Sequence, residues 1–297
     1  MRSTTTTTTT AFTTTTTSLV ALLVVSCAAE PIPIPPECNG AVELCARRFD
    51  QVAYPTTHNA MSSEDDGWVN PNQYHDVPAQ LEDGVRALML DTHYFEDRTM
   101  LCHGVCQLGS QPLAEGLAEI ADFLHHHRGE VVTIIFESYI SADDTRVAFE
   151  DSGLADYLFR PASPPSPTSP WPTLRQLIDD DQRLVVLTDA EGGAFPWYLD
   201  VWGQAWETPF AAREITDFTC DPGRGDPANP LFIFNHFLTR TRPVPEDADQ
   251  VNADPLLIDR ARECMAASGS LPNFVTVDFY SVGDLFEAVA SLNGLDP

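Results

Sequence analysis

Residues 131–136, Val-Val-Thr-Ile-Ile-Phe, form a continuous β-branched run that stops at Glu137. A strand with one wet face alternates polar and apolar side chains. An unbroken run is therefore buried on both faces, as in a parallel sheet covered by helices. Further strand patterns at residues 51–57, 85–90, 100–102, 183–187, 231–234 and 274–277 are interleaved with helical ones at 113–127, 142–158, 174–178, 255–267 and 282–292. Residues 163–170, Ser-Pro-Pro-Ser-Pro-Thr-Ser-Pro, read as a loop. Alternating strands and helices along residues 38–297 predict a single α/β domain, a (β/α)8 TIM-type barrel with room for distortion of the ring. A doubly wound open sheet is the alternative. Its first strand usually leads into a Gly-rich phosphate turn, whereas Pro-Thr-Thr-His-Asn-Ala-Met stands here.

The chain carries 44 acidic residues against 16 basic ones, a net charge of −28, and every basic residue is arginine. Such a surface repels phosphate backbones, so nucleic acid is not an expected partner. Without lysine there is neither a Schiff-base lysine nor a Walker-type phosphate lysine.

The amino end has Arg2, two threonine runs and an apolar segment at residues 19–25, too short to span a bilayer. It reads as a signal peptide over residues 1–26. Val24-Val25-Ser26-Cys27 resembles the bacterial lipobox, with Cys27 as the lipidated residue. The expected location is outside the cytoplasm, as a bacterial cell-envelope lipoprotein or a secreted protein, with ordinary cleavage near Ala28 or Ala29 as the alternative. Residues 27–37 are a proline-rich tether and residues 38–297 the barrel. The six remaining cysteines suit an oxidising compartment. Close spacing favours Cys38–Cys45 and Cys102–Cys106, which leaves Cys220–Cys264.

The informative positions are the strand ends. They carry His58 and Asn59, then Asp91 and His93, then His103, Glu137, Asp189, Asn235 with His236, and Asp278. The carboxyl ends of barrel strands converge on one face, where barrel enzymes place their active sites. Two histidines facing one another can serve as base and acid in one displacement, and His58 and His103 are the candidates. Asn59, Asp91 and Glu137 form an all-oxygen set suited to Ca²⁺, or to Mg²⁺, which would neutralise a phosphate in a site without lysine; the alternative is that Asp91 and Glu137 pin neighbouring loops or orient the histidines. His93, Asp189, Asn235, His236 and Asp278 are expected to bind substrate or support these groups. Several other features have ordinary explanations. His125, His126 and His127 end a predicted helix, where cations meet its dipole favourably. Arg86 reads as a packing or salt-bridge residue, and Trp197, Tyr198, Trp202 and Trp206 as core or loop anchors that could also line a substrate mouth.

These residues occur in segments that resemble the X domain of the phosphatidylinositol-specific phospholipase C superfamily, and of its secreted bacterial, fungal and plant members above all. The segments are THNAM at 57–61, QLEDGVRALMLDTHYF at 80–95, LCHG at 101–104, EVVTIIFESY at 130–139 and NFVTVDFY at 273–280. The resemblance runs from about Cys38 to Asn293. It implies a phosphodiesterase barrel in which His58 is the general base and His103 the general acid, with Asn59, Asp91 and Glu137 at the calcium-ligand positions. The chain departs from the family at two places. His93 stands where calcium-independent bacterial enzymes have an arginine, and Met89 where calcium-dependent animal enzymes have a glutamate. The expected substrate is a phospholipid or a soluble phosphodiester, the expected membrane contact a lipid anchor, and the expected state a monomer. Alternatives are a phosphodiesterase of glycerophosphodiester or sphingomyelinase D type, and a non-catalytic surface lipoprotein that keeps the barrel.

Overall fold

A computed structural model describes residues 1–12 and 32–295. The chain divides into two units, Met1–Ile32 and Pro33–Pro297. In the first, residues 1–12 have no regular secondary structure. The apolar segment at 19–25 and Cys27 lie outside the described residues.

The second unit is an α/β fold. Its strands are β1 (Tyr54–Thr57), β2 (Ala87–Phe95), β3 (Arg98–Leu101), β4 (Gln111–Pro112), β5 (Val132–Ser138), β6 (Leu184–Thr188), β7 (Tyr198–Asp200), β8 (Ala205–Glu207), β9 (Leu231–Asn235) and β10 (Phe274–Val277). The helices are α1 (Val77–Asp83), α2 (Leu113–His126), α3 (Ala142–Asp151), α4 (Leu174–Asp179), α5 (Val201–Gln204), α6 (Pro245–Val251), α7 (Leu256–Ser268) and α8 (Leu285–Leu292). Eight strands pair in parallel in the order β7-β6-β5-β2-β1-β10-β9-β8. Among the described residues no ladder joins β7 to β8. The sheet therefore curls into a barrel that stays unzipped along one seam, bridged in sequence by the four residues of α5.

The two faces of each strand go to different cores, as the period of two requires. Tyr54, Ala87, Ile135, Val185, Leu187, Ile233 and Phe274 share one apolar cluster inside the sheet, plugged by Phe49 and Trp171. Leu88, Leu90, Ile134, Phe136, Val186, Phe234 and Val275 belong to another, with Leu117 and Ile120 of α2 and Leu257 and Ala261 of α7. Both faces of β5 are buried up to Phe136, which is what its unbroken sequence demands.

Three local features differ from the sequence-based expectation. The third strand is not a barrel stave. Glu96 and Asp97, with φ of 49° and 58°, turn the chain so that β3 returns antiparallel along the end of β2. The helix expected over residues 142–158 stops at Asp151, because Gly153 adopts φ 76° and only a 3₁₀ turn, Leu154–Tyr157, follows. The tether's last residues are docked rather than free: Arg175 Nη1 donates to the carbonyl of Pro35 at 3.2 Å. The disulfides Cys38–Cys45, Cys102–Cys106 and Cys220–Cys264 are all formed.

Candidate active site

Extending the inward parity of each strand past its last core residue generates the site. Tyr54 and Thr56 lead to His58, Ala87 and Met89 to Asp91, Ile135 to Glu137, Leu187 to Asp189, Ala205 to Glu207, Ile233 to Asn235, and Phe274 and Thr276 to Asp278. Two adjoining cavities open where these residues meet. One, of about 290 Å³, lies between His58, His103 and Asp278 and is bounded outside by Val105, Leu108 and Arg242. The other, of about 90 Å³, runs down into the barrel past Asp91, Glu137, Asp189 and Glu207. His58, Asn59 and Phe237 border both.

The two histidines face one another with ring centroids 6.5 Å apart and planes at 71°. Each is oriented by a carboxylate on its Nδ1: His58 by Asp278 at 2.9 Å, and His103 by Asp91 at 2.8 Å. Asn72 Nδ2 donates to the same oxygen of Asp278 at 2.9 Å, and Gln73 Nε2 donates to the His58 carbonyl at 2.8 Å. A ring that uses Nδ1–H on a carboxylate presents Nε2 to the cavity. The hydrogen bond to Asp91 raises the pKa of His103. Desolvation opposes this, while the fields of Asp91, Glu137 and Asp278 add to it. His103 is thereby biased toward the protonated form, the form an acid needs. His103 sits two residues beyond β3, so the hairpin, not a stave, delivers it, and the Cys102–Cys106 disulfide brackets it.

The unzipped seam supplies a group that the strand-end reading missed. Gly223 N donates to Glu207 O at 2.7 Å and Glu207 N to Arg224 O at 3.0 Å, so the loop after β8 lies along the strand edge that β7 leaves free. Gly225 makes this approach possible: at φ +80°, a Cβ there would fall 2.2 Å from the Ala205 carbonyl oxygen. The Arg224 side chain enters the deep cavity, bound to Glu207 through Nε and Nη2 at 2.5 and 3.2 Å. Its guanidinium lies over Trp202 and Phe210, 4.5 and 4.7 Å from the ring centroids. Burial works against this charge, but the hydrogen bond to Glu207 and the fields of Glu207, Glu137 and Asp189 together raise the pKa. Asn235 donates to Glu207 at 3.0 Å and completes the chain of contacts.

The other expected residues divide. Asp189 lines the deep cavity and accepts the Ser138 amide at 2.9 Å; desolvation raises its pKa against that bond. His93 stacks on Tyr139 at 4.4 Å and borders neither cavity. His236 faces away from the site, since it continues the outer parity of Phe232 and Phe234. Fully buried, it bonds the Val251 carbonyl at 2.7 Å and meets Arg260 at 2.9 Å, and burial pushes its pKa down to about 3. Arg86 pairs with Glu130 at 2.7 Å. His126 and His127 meet Asp122 and Glu82 at 3.6 and 2.8 Å at the end of α2. Trp197, Tyr198 and Trp206 are buried, and only Trp202 of the four aromatics borders a cavity. The sequence did hold one cue for Arg224: an arginine between two glycines, Gly223-Arg224-Gly225, in a chain without lysine.

The PI-PLC X 1 family model matches residues 44–293. The chain belongs to the PI-PLC X domain family. It is 30% identical to PI-PLC X domain-containing protein 1 of Arthroderma benhamiae, over 87% of this chain and 90% of that one. An uncharacterized secreted protein of the same fungus is 29% identical over 87% of this chain, and a PI-PLC X domain-containing protein of Arabidopsis thaliana 29% identical over 83%. The chain spans 64% and 62% of those two relatives' own lengths. Among solved structures, phosphatidylinositol-specific phospholipase C of Staphylococcus aureus superposes with a TM-score of 0.56 at 12% identity, over 85% of this chain and 95% of that one. At that identity the likeness concerns the barrel alone. The three disulfides and the relative named as secreted point to an exported protein.

For this PI-PLC X domain, the calcium implied by the resemblance can be tested against the donor set. Asp91 is held by His103, and Glu137 accepts the Tyr139 hydroxyl. Met89 borders the cavity where a third carboxylate would be needed, and Arg224 already places a cation there. Asn59 Nδ2 is buried without a partner. Among the described residues no group of three or more His, Cys, Asp or Glu is arranged to hold a metal ion. These residues do not fit a divalent cation.

Proposed function

We propose that the protein is a phosphodiesterase of phospholipase C type, acting on a phosphoinositide-like lipid or a related phosphodiester. The observation that carries this reading is the pair His58 and His103, facing across one cavity with each Nδ1 fixed by its own carboxylate. His58 Nε2 takes the proton of a hydroxyl that neighbours the phosphoryl group in the substrate. The hydroxyl oxygen bonds to phosphorus as the bond to the leaving alkoxide breaks, and His103 Nε2–H protonates that alkoxide. The first products are a cyclic phosphodiester and an alcohol. Water can then open the ring with the two roles reversed. In a lipid substrate the glycerol would leave past Val105 and Leu108, both exposed.

Phosphorus NMR of the products from phosphatidylinositol micelles and soluble glycerophosphodiesters tests the reading, with and without chelator. A cyclic phosphate should appear first. His58→Ala and His103→Ala should each lose roughly 10²- to 10⁴-fold in rate with the fold intact. Activity within a few-fold of wild type in either variant would overturn the two-histidine mechanism. Acylation of Cys27 belongs to the same proposal, as an anchor that would keep the protein at a lipid surface. The intact mass of the mature protein checks it.

A further inference from the structure

A phosphodiester brought to His58 and His103 carries a negative charge beside Asp278 and up to the deep cavity, which His58 and Asn59 also border and which Asp91, Glu137, Asp189 and Glu207 line. The whole chain adds a net charge of −28. Something fixed in the site must offset this, and more so as charge gathers on the phosphoryl oxygens in the transition state. Two donors bordering the cavity have no assigned task. Asn59 is 2% exposed, and its Nδ2 has no hydrogen-bond partner. A buried amide N–H left unpaired costs on the order of 1–3 kcal/mol, so it is held there against its own desolvation. Arg224 spends Nε and Nη2 on Glu207, and no bond is formed by Nη1 among the described residues.

We propose that Asn59 Nδ2 and Arg224 Nη1 bind the substrate's phosphoryl oxygens, in place of a divalent cation. This rests on the phosphodiesterase reading of the same site. Asn59 adopts φ 47° in the turn directly after His58, which ties its amide to the position of the base. Arg224 is preorganised by the Glu207 carboxylate and by the two aromatic rings over which it lies, so little ordering remains when substrate arrives. Asn59 lies in a left-handed turn, and Arg224 lies beside the glycine that position 225 requires.

Asn59→Asp discriminates between the two kinds of site. If Asn59 were a calcium ligand, a carboxylate in its place would serve as well, and millimolar calcium would sustain activity. In a phosphoryl-binding site the same change sets a negative charge against the substrate, so kcat/KM should fall about 10²-fold or more and calcium should not restore it. Arg224→Gln should lose roughly 10²- to 10³-fold, and Arg224→Lys should recover part of this. The double variant Arg224→Gln/Glu207→Gln removes the carboxylate that the single change leaves unpaired, and it should fold and remain as slow.

Calorimetry with myo-inositol 1-phosphate in excess chelator reads binding without turnover. Wild type should bind, and Asn59→Asp and the double variant should bind at least tenfold more weakly. Binding by wild type only with calcium, or unchanged binding by both variants, would overturn the proposal. A wild type that binds this probe in chelator but cleaves no phosphodiester would leave the anion site standing and remove the phosphodiesterase reading instead.

Discussion

The imidazole of His58 and the ring of Phe237 lie face to face, 3.9 Å between centroids and 8° between planes. Asp278 fixes one edge of the imidazole, and Phe237 fixes its plane. A side chain that rotates about two bonds is thereby held in one orientation before substrate arrives. Phe237→Ala should lower kcat by up to about tenfold, the scale of an aromatic pair worth 0.5–1.5 kcal/mol, with KM changed less. Phe237→Tyr should preserve both. Steady-state kinetics and far-UV circular dichroism check this together, because a loss of fold would lower activity only in proportion to the folded fraction.

The alkaline limb of the activity profile should report His103. Its pKa is raised chiefly by the hydrogen bond to Asp91, so the acid form persists above the ordinary histidine range. Asp91→Asn removes that support, and the limb should move to lower pH. The same raised pKa contributes stability that is fully present below the unfolded-state value and is lost as pH rises through the folded-state one. An unmoved limb in Asp91→Asn would show that His103 is not the acid.

His236 predicts the opposite dependence. Its pKa is pushed down to about 3 by burial, with the charge of Arg260 adding to the effect. The unfolded chain therefore binds a proton here that the folded chain refuses. Stability should fall as pH drops from about 6.5 toward 3, by up to about 1.4 kcal/mol per pH unit from this one group. Urea unfolding of wild type and His236→Asn between pH 7 and pH 4 gives the comparison. The variant is less stable at neutral pH and its stability declines less on acidification.

Gly225→Ala should act through its neighbour. The added methyl would meet the Ala205 carbonyl oxygen at 2.2 Å in a backbone conformation that disfavours side chains, at a cost of about 1–3 kcal/mol. The strand-edge pairing that seats Arg224 would have to shift. A fall in thermal stability accompanied by an activity loss approaching that of Arg224→Gln is the expected result; full activity would show that the seam tolerates movement.

Much of this architecture was legible in the chain because burial on two faces leaves an unmistakable pattern. The strand expected over residues 131–136 is observed as Val132–Ser138, and the one expected over 274–277 as Phe274–Val277. The strand ends also named both histidines and the carboxylates that hold them. His236 was grouped with the site because it follows Asn235, but one residue of parity sends it to the outer core. Glu207 was passed over because a three-residue strand, Ala205–Glu207, is too short to display a period. Arg224 and Asn72 sit on loops, whose positions depend on partners far away in sequence, and local pattern says nothing about these. In the sequence Asp91 is a candidate metal ligand or a carboxylate that orients a histidine, and the hairpin that brings His103 back beside it puts it to the second use.

A closed barrel has no outermost stave, whereas this one has two. Unfolding can therefore begin as fraying from β7 and β8 inward, with β5, β2, β1 and β10 the last to open. Backbone amides near Tyr198 and Glu207 should exchange with solvent deuterium through small local openings, while those of β5 wait for global unfolding. The wall that carries Trp202, Glu207 and Arg224 would then be the softest part of the ring.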